Sequence, residues 1–534
     1  MKELVGTGGL IRLILRRDRF ILPVRIFFLA IIPLFGVAAF TDLYPTAAEL
    51  KSFAQLARAN LAFTALFGPL YDSNLGALVA WRFSIIAVFA ALASFLTVIR
   101  HTRTEEETGR RELMGSTVVG RYAPLSSALI VTFGANIALA AIVAGLLINQ
   151  ELEVTGSIAL GLSYAAPGWV FAAIAALSAQ LTQNAGSARG IAGSILGLSF
   201  LLRAVGDVSE SGALSWLSWL SPLGWSIFIR SFADENWRVL MLFLGVVIVF
   251  SGTAYVLSSR RDVGAGILPP RLGPAAAAPS LSNPLALAWR LQRNLLIAWT
   301  VGIALYSLLI GNIVHSIADM LRDNPQLEVY FTAIGGEAGL TDITIAAIIS
   351  IVALIISIYA AQSALRLRGE EVGIRAEPVL ATAVGRLRYA ASHLVFAFAG
   401  PAVVLAVSGL IIGLTYGSIT GEVGREVGRQ FGATMAQLPA VWVLVGIAVA
   451  LYGLLPRFST SGAWAVLSAF FVIGVFGELL QLPQWIMDIS PFTHIPNLPG
   501  GEFTITPIIW LLAIALVLTV AGLVGFRQRD IGRV

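Results

Sequence analysis

Runs of about 20 consecutive apolar residues, the length a helix needs to cross the roughly 30 Å hydrocarbon core of a bilayer, recur along this whole chain. Twelve are read, at 21–40, 80–99, 123–148, 157–181, 190–206 and 239–258, then at 295–314, 342–365, 391–415, 432–455, 461–481 and 506–526. Within lipid each backbone N–H and C=O must be satisfied inside the protein, so such runs specify helices and the expected fold is an all-α polytopic membrane protein. Composition agrees, because 12% of the 534 residues are charged, against roughly 25% in a soluble globular domain. A water-soluble enzyme is thereby excluded. Cys is absent and His occurs only at 101, 315, 393 and 494, so neither a thiolate nucleophile nor a metal cluster is expected. The first run follows Arg12, Arg16, Arg17 and Arg19 without a small-residue cleavage site after it, and reads as a retained helix rather than a signal peptide.

All but Lys2 and Lys51 of the 35 basic residues are arginine. They form short clusters between apolar runs rather than one long basic tract, so nucleic acid is not an expected partner. Bases near helix ends are retained on the cytoplasmic side. With twelve spans and a cytoplasmic N-terminus, the external segments hold only Lys51, Arg58, Arg230, Arg322, Arg425 and Arg429, while the internal ones hold most of the remainder. Both termini are therefore expected in the cytoplasm, and the chain in the cell membrane.

Residues 259–285 are rich in Gly, Pro, Ala and Ser and read as a weakly structured cytoplasmic linker. It joins a first six-span half, 1–258, to a second, 286–534. The halves correspond in order: Arg260-Arg261-Asp262-Val263-Gly264 matches Gln528-Arg529-Asp530-Ile531-Gly532, "LSPLGW" (220–225) matches "ISPFTH" (489–494), and Gly206-Asp207 matches Gly477-Glu478. Two parallel six-span repeats around one pathway are expected. Before the last span of each half, 216–230 and 481–496 are too short and too Pro-punctuated to cross, and read as external re-entrant hairpins with Trp216, Trp219, Trp225 and Trp485 suited to the headgroup zone. Arg203 lies four residues before Asp207 and could pair with it.

The most informative repeat follows the second span of each half, "RHTRTEEETGRRELMGSTVVGR" (100–121) and "RLRGEEVGIRAEPVLATAVGR" (366–386). With one inserted residue, Glu106, Glu107, Gly109 and Arg111 align with Glu370, Glu371, Gly373 and Arg375, and Glu112, Thr117, Gly120 and Arg121 with Glu377, Thr382, Gly385 and Arg386. The pairs Glu106–Arg110, Glu107–Arg111 and Glu371–Arg375 are spaced i,i+4 with the acid first, which favours a short charged helix in each loop. A merely solvated loop is the alternative, but it has no reason to keep the same order of charges in two halves whose apolar spans have diverged. Two equivalent docking elements imply two equivalent partners. On this reading, reversing Glu106 and Glu107 to Arg weakens partner binding and leaves the fold intact.

Together with "ALFGPLYD" (65–72), "AWR" (80–82) and "RHTRTEEETGRREL" (100–113), these features make the whole chain resemble the twelve-span membrane subunits of ABC exporters, specifically the fused ABC-2-like permeases identified as exporters of polyketide antibiotics such as tetronasin. The resemblance implies that the segment after the second span of each half is a coupling helix seated in a groove of an ATP-binding subunit. The residues so implicated are Glu105, Glu106, Glu107, Gly109, Arg110, Arg111 and Glu112, with Glu370, Glu371, Gly373, Arg375 and Glu377 in the second copy. There Pro378 replaces Leu113 and Gly369 replaces the first Glu, so the two contacts are expected to differ.

ATP chemistry in this chain would need G-x-x-x-x-G-K-[ST]. Leu50 precedes Lys51 where Gly is required and Lys2 has no room for the motif. The chain is thus not expected to be an enzyme or to bind a cofactor, and ATP and Mg belong to two copies of a separate ATPase subunit. The function expected is multidrug efflux of small amphipathic or apolar compounds, conferring antibiotic resistance, with Phe27, Phe28, Phe35 and Phe83 as candidate lining of the path. The alternative is a major-facilitator-like secondary drug antiporter, since "EEETGRREL" (105–113) loosely resembles that family's D-R-x-G-R-R loop, although the Asp-Arg pair and an intramembrane carboxylate are missing.

Overall fold

A computed structural model describes residues 2–115, 118–209, 212–269, 276–281, 283–322, 336–476 and 482–530. Among them the structure is helical, without strands, and the chain divides into two compact units, Met1–Gly273 and Pro274–Val534.

The first unit contains α1 (Thr7–Arg17), α2 (Ile21–Leu43), α3 (Ala47–Ala59), α4 (Leu61–Phe67), α5 (Leu75–Arg82), α6 (Ile86–His101), α7 (Arg103–Glu107), α8 (Arg110–Gly115), α9 (Ala123–Ile148), α10 (Val154–Leu181), α11 (Ala185–Val208), α12 (Pro222–Phe228) and α13 (Val239–Arg260). The second contains α14 (Pro284–Arg322), α15 (Gly336–Ala364), α16 (Arg366–Val372), α17 (Ala376–Leu380), α18 (Arg386–Thr420), α19 (Val423–Ala436), α20 (Leu438–Leu454), α21 (Ser459–Phe476), α22 (Gln484–Met487) and α23 (Ile505–Gln528). Among the described residues eleven helical segments are long and apolar enough to cross a membrane, which makes this a multi-pass membrane protein. The expected count was twelve. The run read at 461–481 falls on α21, which is apolar but shorter, and 477–481 lie outside the described residues.

Chain chemistry explains the breaks. The run at 80–99 is interrupted by a turn at residues 83–85 between α5 and α6, where Ser84 Oγ donates to the Phe67 carbonyl (2.8 Å). Asn74 caps α5 by accepting from Ala77 N (2.7 Å). A capping box starts α3, Thr46 and Glu49 satisfying each other's backbone N–H groups. Prolines stand inside α2, α10 and α18 at Pro33, Pro167 and Pro401, tolerated where neighbouring helices satisfy the freed carbonyls.

Burial orders each unit in the same way. In the first, the buried share of successive membrane segments is 28, 67, 44, 83, 39 and 17%, and in the second it is 22, 61, 44 and 72% for the first four and 17% for the last. A buried fourth segment, α10 or α19 with α20, is thus ringed by the others, and α13 and α23 are peripheral. Small residues permit the closest crossing. A Cβ on Gly453 of α20 would lie 1.9 Å from the Gly522 carbonyl oxygen of α23, and one on Gly522 would lie 2.3 Å from that of Val449. Because backbone blocks the space, Gly522→Val should cost about 1–3 kcal/mol through overpacking, read as a lower thermal unfolding midpoint of the detergent-solubilised chain.

Two connections carry local order of their own. The linker expected at 259–285 is ordered at its start, Ile267 N donating to Gln180 O (3.0 Å) and Leu268 N to Leu181 O (2.9 Å), so this stretch belongs to the first unit. The segments expected as short helical hairpins each hold two short helices, Ser215–Leu220 with α12, and α22 with Pro491–His494. Ser221 accepts from the N–H groups of Leu223 and Gly224, and Ser490 from that of Phe492, so each Ser-Pro pair starts a helix. Trp216, Trp219 and Trp485 are exposed, but Trp225 is buried edge-on against Phe243.

Candidate functional site

The charged loops form the same object in both units: two short helices joined at a sharp elbow. In the first unit α7 ends at Thr108, whose N–H donates to Thr104 O (3.1 Å), and Gly109 N donates to Glu106 O (3.0 Å) with φ 72°. In the second, Gly373 N donates to Gly369 O (3.1 Å) and Ile374 N to Glu371 O (3.0 Å) with φ 56°. Gly109 therefore corresponds to Ile374, not to Gly373. The elbows align without any inserted residue, Glu105 with Glu370, Glu106 with Glu371, Arg103 with Arg368 and Arg110 with Arg375.

This register also corrects the expected ion pairs. The left-handed residue ends the first helix before an i,i+4 partner can come round. Arg110 pairs with Glu105 (3.3 Å) and Arg111 with Glu106, while in the second unit Arg375 pairs with Glu370 (2.9 Å). All three are i,i+5 contacts across the elbow.

Each elbow is built around a carboxylate clamped from the end of its unit's last membrane helix, Glu106 or Glu371. Glu106 accepts from Arg103 (2.5 Å), from Arg111, and from Arg261 through two bonds of 2.8 Å each. Arg261 also reaches Gln180 Oε1 (2.7 Å), and Arg103 reaches the carbonyls of Gln183, Gly264 and Ala265 (2.6, 3.0 and 3.0 Å). Glu371 accepts two bonds of 2.7 Å from Arg529, which lies over the rings of Tyr452 and Phe526, and it stands 3.7 Å from Arg368. Arg121 donates to the carbonyls of Ser258 and Arg261, and Arg386 to those of Arg527 and Arg529. The arginine that follows each unit's last membrane helix thus closes a two-toothed clamp on the elbow. Burial, then the neighbouring Arg261, Arg103 and Arg121, pull the Arg111 pKa down to about 10, and burial takes Arg261 to about 10.

Glu105, Glu106, Glu370 and Glu371 are consequently buried and cannot be offered to another protein, contrary to the expectation that Glu106 can be reversed without harm to the fold. The exposed tip in the first unit is Glu107, Thr108, Arg110 and Glu112, with Arg111 and Gly109 half-buried; Glu107 also accepts from Ala185 N (3.1 Å) at the start of α11. The second tip is Val372, Gly373, Ile374, Arg375 and Glu377, its two apolar members each 64% exposed.

Sequence reasoning missed Arg103, Arg261, Arg368 and Arg529 as site residues, although the recurring Arg-Asp after each half's last span was the available signal. It also missed the brace from α1, in which Asp18 meets His101 (2.6 Å) and Arg100 (3.1 Å) and Arg17 meets Glu105. The expected Arg203–Asp207 pair forms at 3.7 Å, and Ser218 Oγ donates to Asp207 (2.6 Å); Glu478 lies outside the described residues. Of the four phenylalanines, Phe27, Phe28 and Phe35 are exposed on their unit, and Phe83 fills the notch at Gly36. Among the described residues no group of His, Asp and Glu could hold a metal ion.

The family described as multidrug efflux system permease Rv1217c, C-terminal domain, matches residues 31–257 and 281–527. The multidrug efflux system permease protein Rv1217c of Mycobacterium tuberculosis is 44% identical over 528 residues, spanning 98% of this chain and 95% of that protein.

Proposed function

This chain belongs to the family of multidrug efflux system permeases, and on that footing we propose that it is the membrane subunit of an ATP-binding cassette exporter, a fused ABC-2-like permease that expels amphipathic or apolar compounds. The observation that carries the proposal is the recurrence of the elbow, clamped by the arginine that follows the last helix of its own unit. A solvated loop needs no such bracing; an element that transmits force does.

The matching order of burial and the family match over two successive segments support two parallel six-span halves, with α21 as the eleventh span, and the distribution of Lys and Arg supports both termini in the cytoplasm. Two ATPase subunits, which carry the ATP and Mg, dock on the tips. A push on the first tip reaches α13 through Glu106 and Arg261 and α11 through Glu107. A push on the second reaches α23 through Glu371 and Arg529. Closing of the two subunits on ATP then tilts the halves between inward- and outward-facing states.

Purification of the chain from its native membrane in mild detergent tests this reading. An ATP-hydrolysing partner at two copies per chain is expected. Drug movement by the purified chain alone in vesicles, driven by a proton gradient, sinks it.

A further inference from the structure

The two elbows differ by one cation at the buried carboxylate. Glu371 is held by Arg368 and Arg529, whereas Glu106 has the equivalents Arg103 and Arg261 and a third guanidinium, Arg111. In the ungapped register the residue facing Arg111 in the second unit is Ala376, which is buried. The second clamp shows that two cations suffice, so Arg111 is surplus to it. Charge crowding is the consequence: after burial, what lowers the Arg111 pKa is the proximity of Arg261, Arg103 and Arg121.

That surplus faces a hollow. Two adjoining cavities of about 340 and 300 Å³ share Arg111, Arg121 and Val263 as lining, and Arg261 closes the floor of the second. Glu112 and Asp262, both exposed, stand at the rim. The remaining walls place the cavities at the membrane boundary. Pro124 is in the first turn of α9, Ser258 is in the last turn of α13, and Leu10 comes from α1, whose last turn carries Arg16 and Arg17. Above this level α13 is the least buried membrane segment of its unit and presents Val249 and Val256 outward. A polar hollow beneath an apolar, exposed helix face is the shape of a phospholipid rather than of a soluble anion. Guanidinium forks supply the parallel donors that phosphate oxygens require, and basic pockets at helix ends on the cytoplasmic side hold anionic headgroups.

We propose that the crevice formed by Arg111, Arg121 and Arg261 binds the phosphate of an anionic phospholipid of the cytoplasmic leaflet, with its acyl chains along α13, and that the second unit has no such site. Lipid then ties one elbow, and not both, to the composition of the leaflet. The inference stands apart from the docking of any ATPase, because it is read on the isolated chain.

The test uses the full chain in detergent and counts retained lipid by native mass spectrometry, with phosphatidylglycerol and phosphatidylcholine as the two lipid probes and inorganic phosphate as the soluble one. Retention of phosphatidylglycerol over phosphatidylcholine is expected. Arg111→Ala, which copies the second unit, and Arg121→Gln should each weaken that retention about fivefold, as loss of one cation near an anionic surface does. Arg121 is exposed, so its variant decides the matter if Arg111→Ala folds poorly. Unchanged retention in a folded Arg121→Gln protein overturns the proposal, and so does inorganic phosphate that displaces phosphatidylglycerol at millimolar concentration.

Discussion

Glu106→Gln should destabilise the detergent-solubilised chain by about 3–5 kcal/mol, the cost of removing one partner from a buried ion pair, measured as a fall in thermal unfolding midpoint and in the folded fraction on gel filtration. The side chain is 1% exposed and faces Arg103, Arg111 and Arg261. The amide can still accept one hydrogen bond, but it leaves three guanidiniums, the wholly buried Arg103 among them, without their shared counter-charge. Glu107→Gln is the matched control. Its carboxylate is exposed and accepts from one backbone N–H, a capping-type contact worth about 1 kcal/mol. Equal effects of the two substitutions would show that the buried clamp does not hold the elbow. Combining Glu106→Gln with Arg261→Gln should cost less than the sum of the two, because residues in one network are coupled.

The second large effect separates stability from docking. Ile374 is β-branched, 64% exposed and left-handed, a backbone conformation that costs such a residue about 1–2 kcal/mol. The first unit places Gly109 at the corresponding position, where no such cost arises. Strain of this kind persists where a function holds it, and under the docking proposed above the exposed apolar side chain at this tip enters a groove of the ATPase subunit. Ile374→Asn keeps a residue that tolerates the left-handed region and removes the apolar contact. It should raise stability by about 1 kcal/mol, while the ATPase subunit retained on purification falls about tenfold, in line with losing one buried aliphatic anchor. Val372→Asn, at equal exposure within α16, should lose the partner with no gain in stability. A stabilised Ile374→Asn chain that retains its ATPase in full would falsify docking at this tip.

The membrane spans were legible because the signal is local: 123–148 is α9 as drawn, and 239–258 lies within α13. The elbow was legible as a charged repeat for the same reason. Its wiring was not, for two physical reasons. An i,i+4 reading assumes an unbroken helix, and the left-handed Gly109 and Ile374 break it. The decisive partners are also remote in sequence, Glu106 and Arg261 being 155 residues apart and Glu371 and Arg529 being 158. Nothing near Glu106 shows that its carboxylate is already spoken for. Charge pattern alone therefore grouped the buried Glu105, Glu106, Glu370 and Glu371 with the exposed residues of the two tips.

That remoteness has a consequence for how the protein is made. Arg261 is the first residue past α13 and Arg529 the first past α23. During synthesis neither elbow can be locked until the last membrane helix of its own half has been translated and laid into the bilayer. Until then Glu106 or Glu371 lacks its two-toothed counter-ion. Locking therefore reports completion: a half that has lost or misplaced its final helix keeps a loose, charged segment. The first half can close its elbow while the second is still on the ribosome, which separates assembly of the chain into two successive checkpoints.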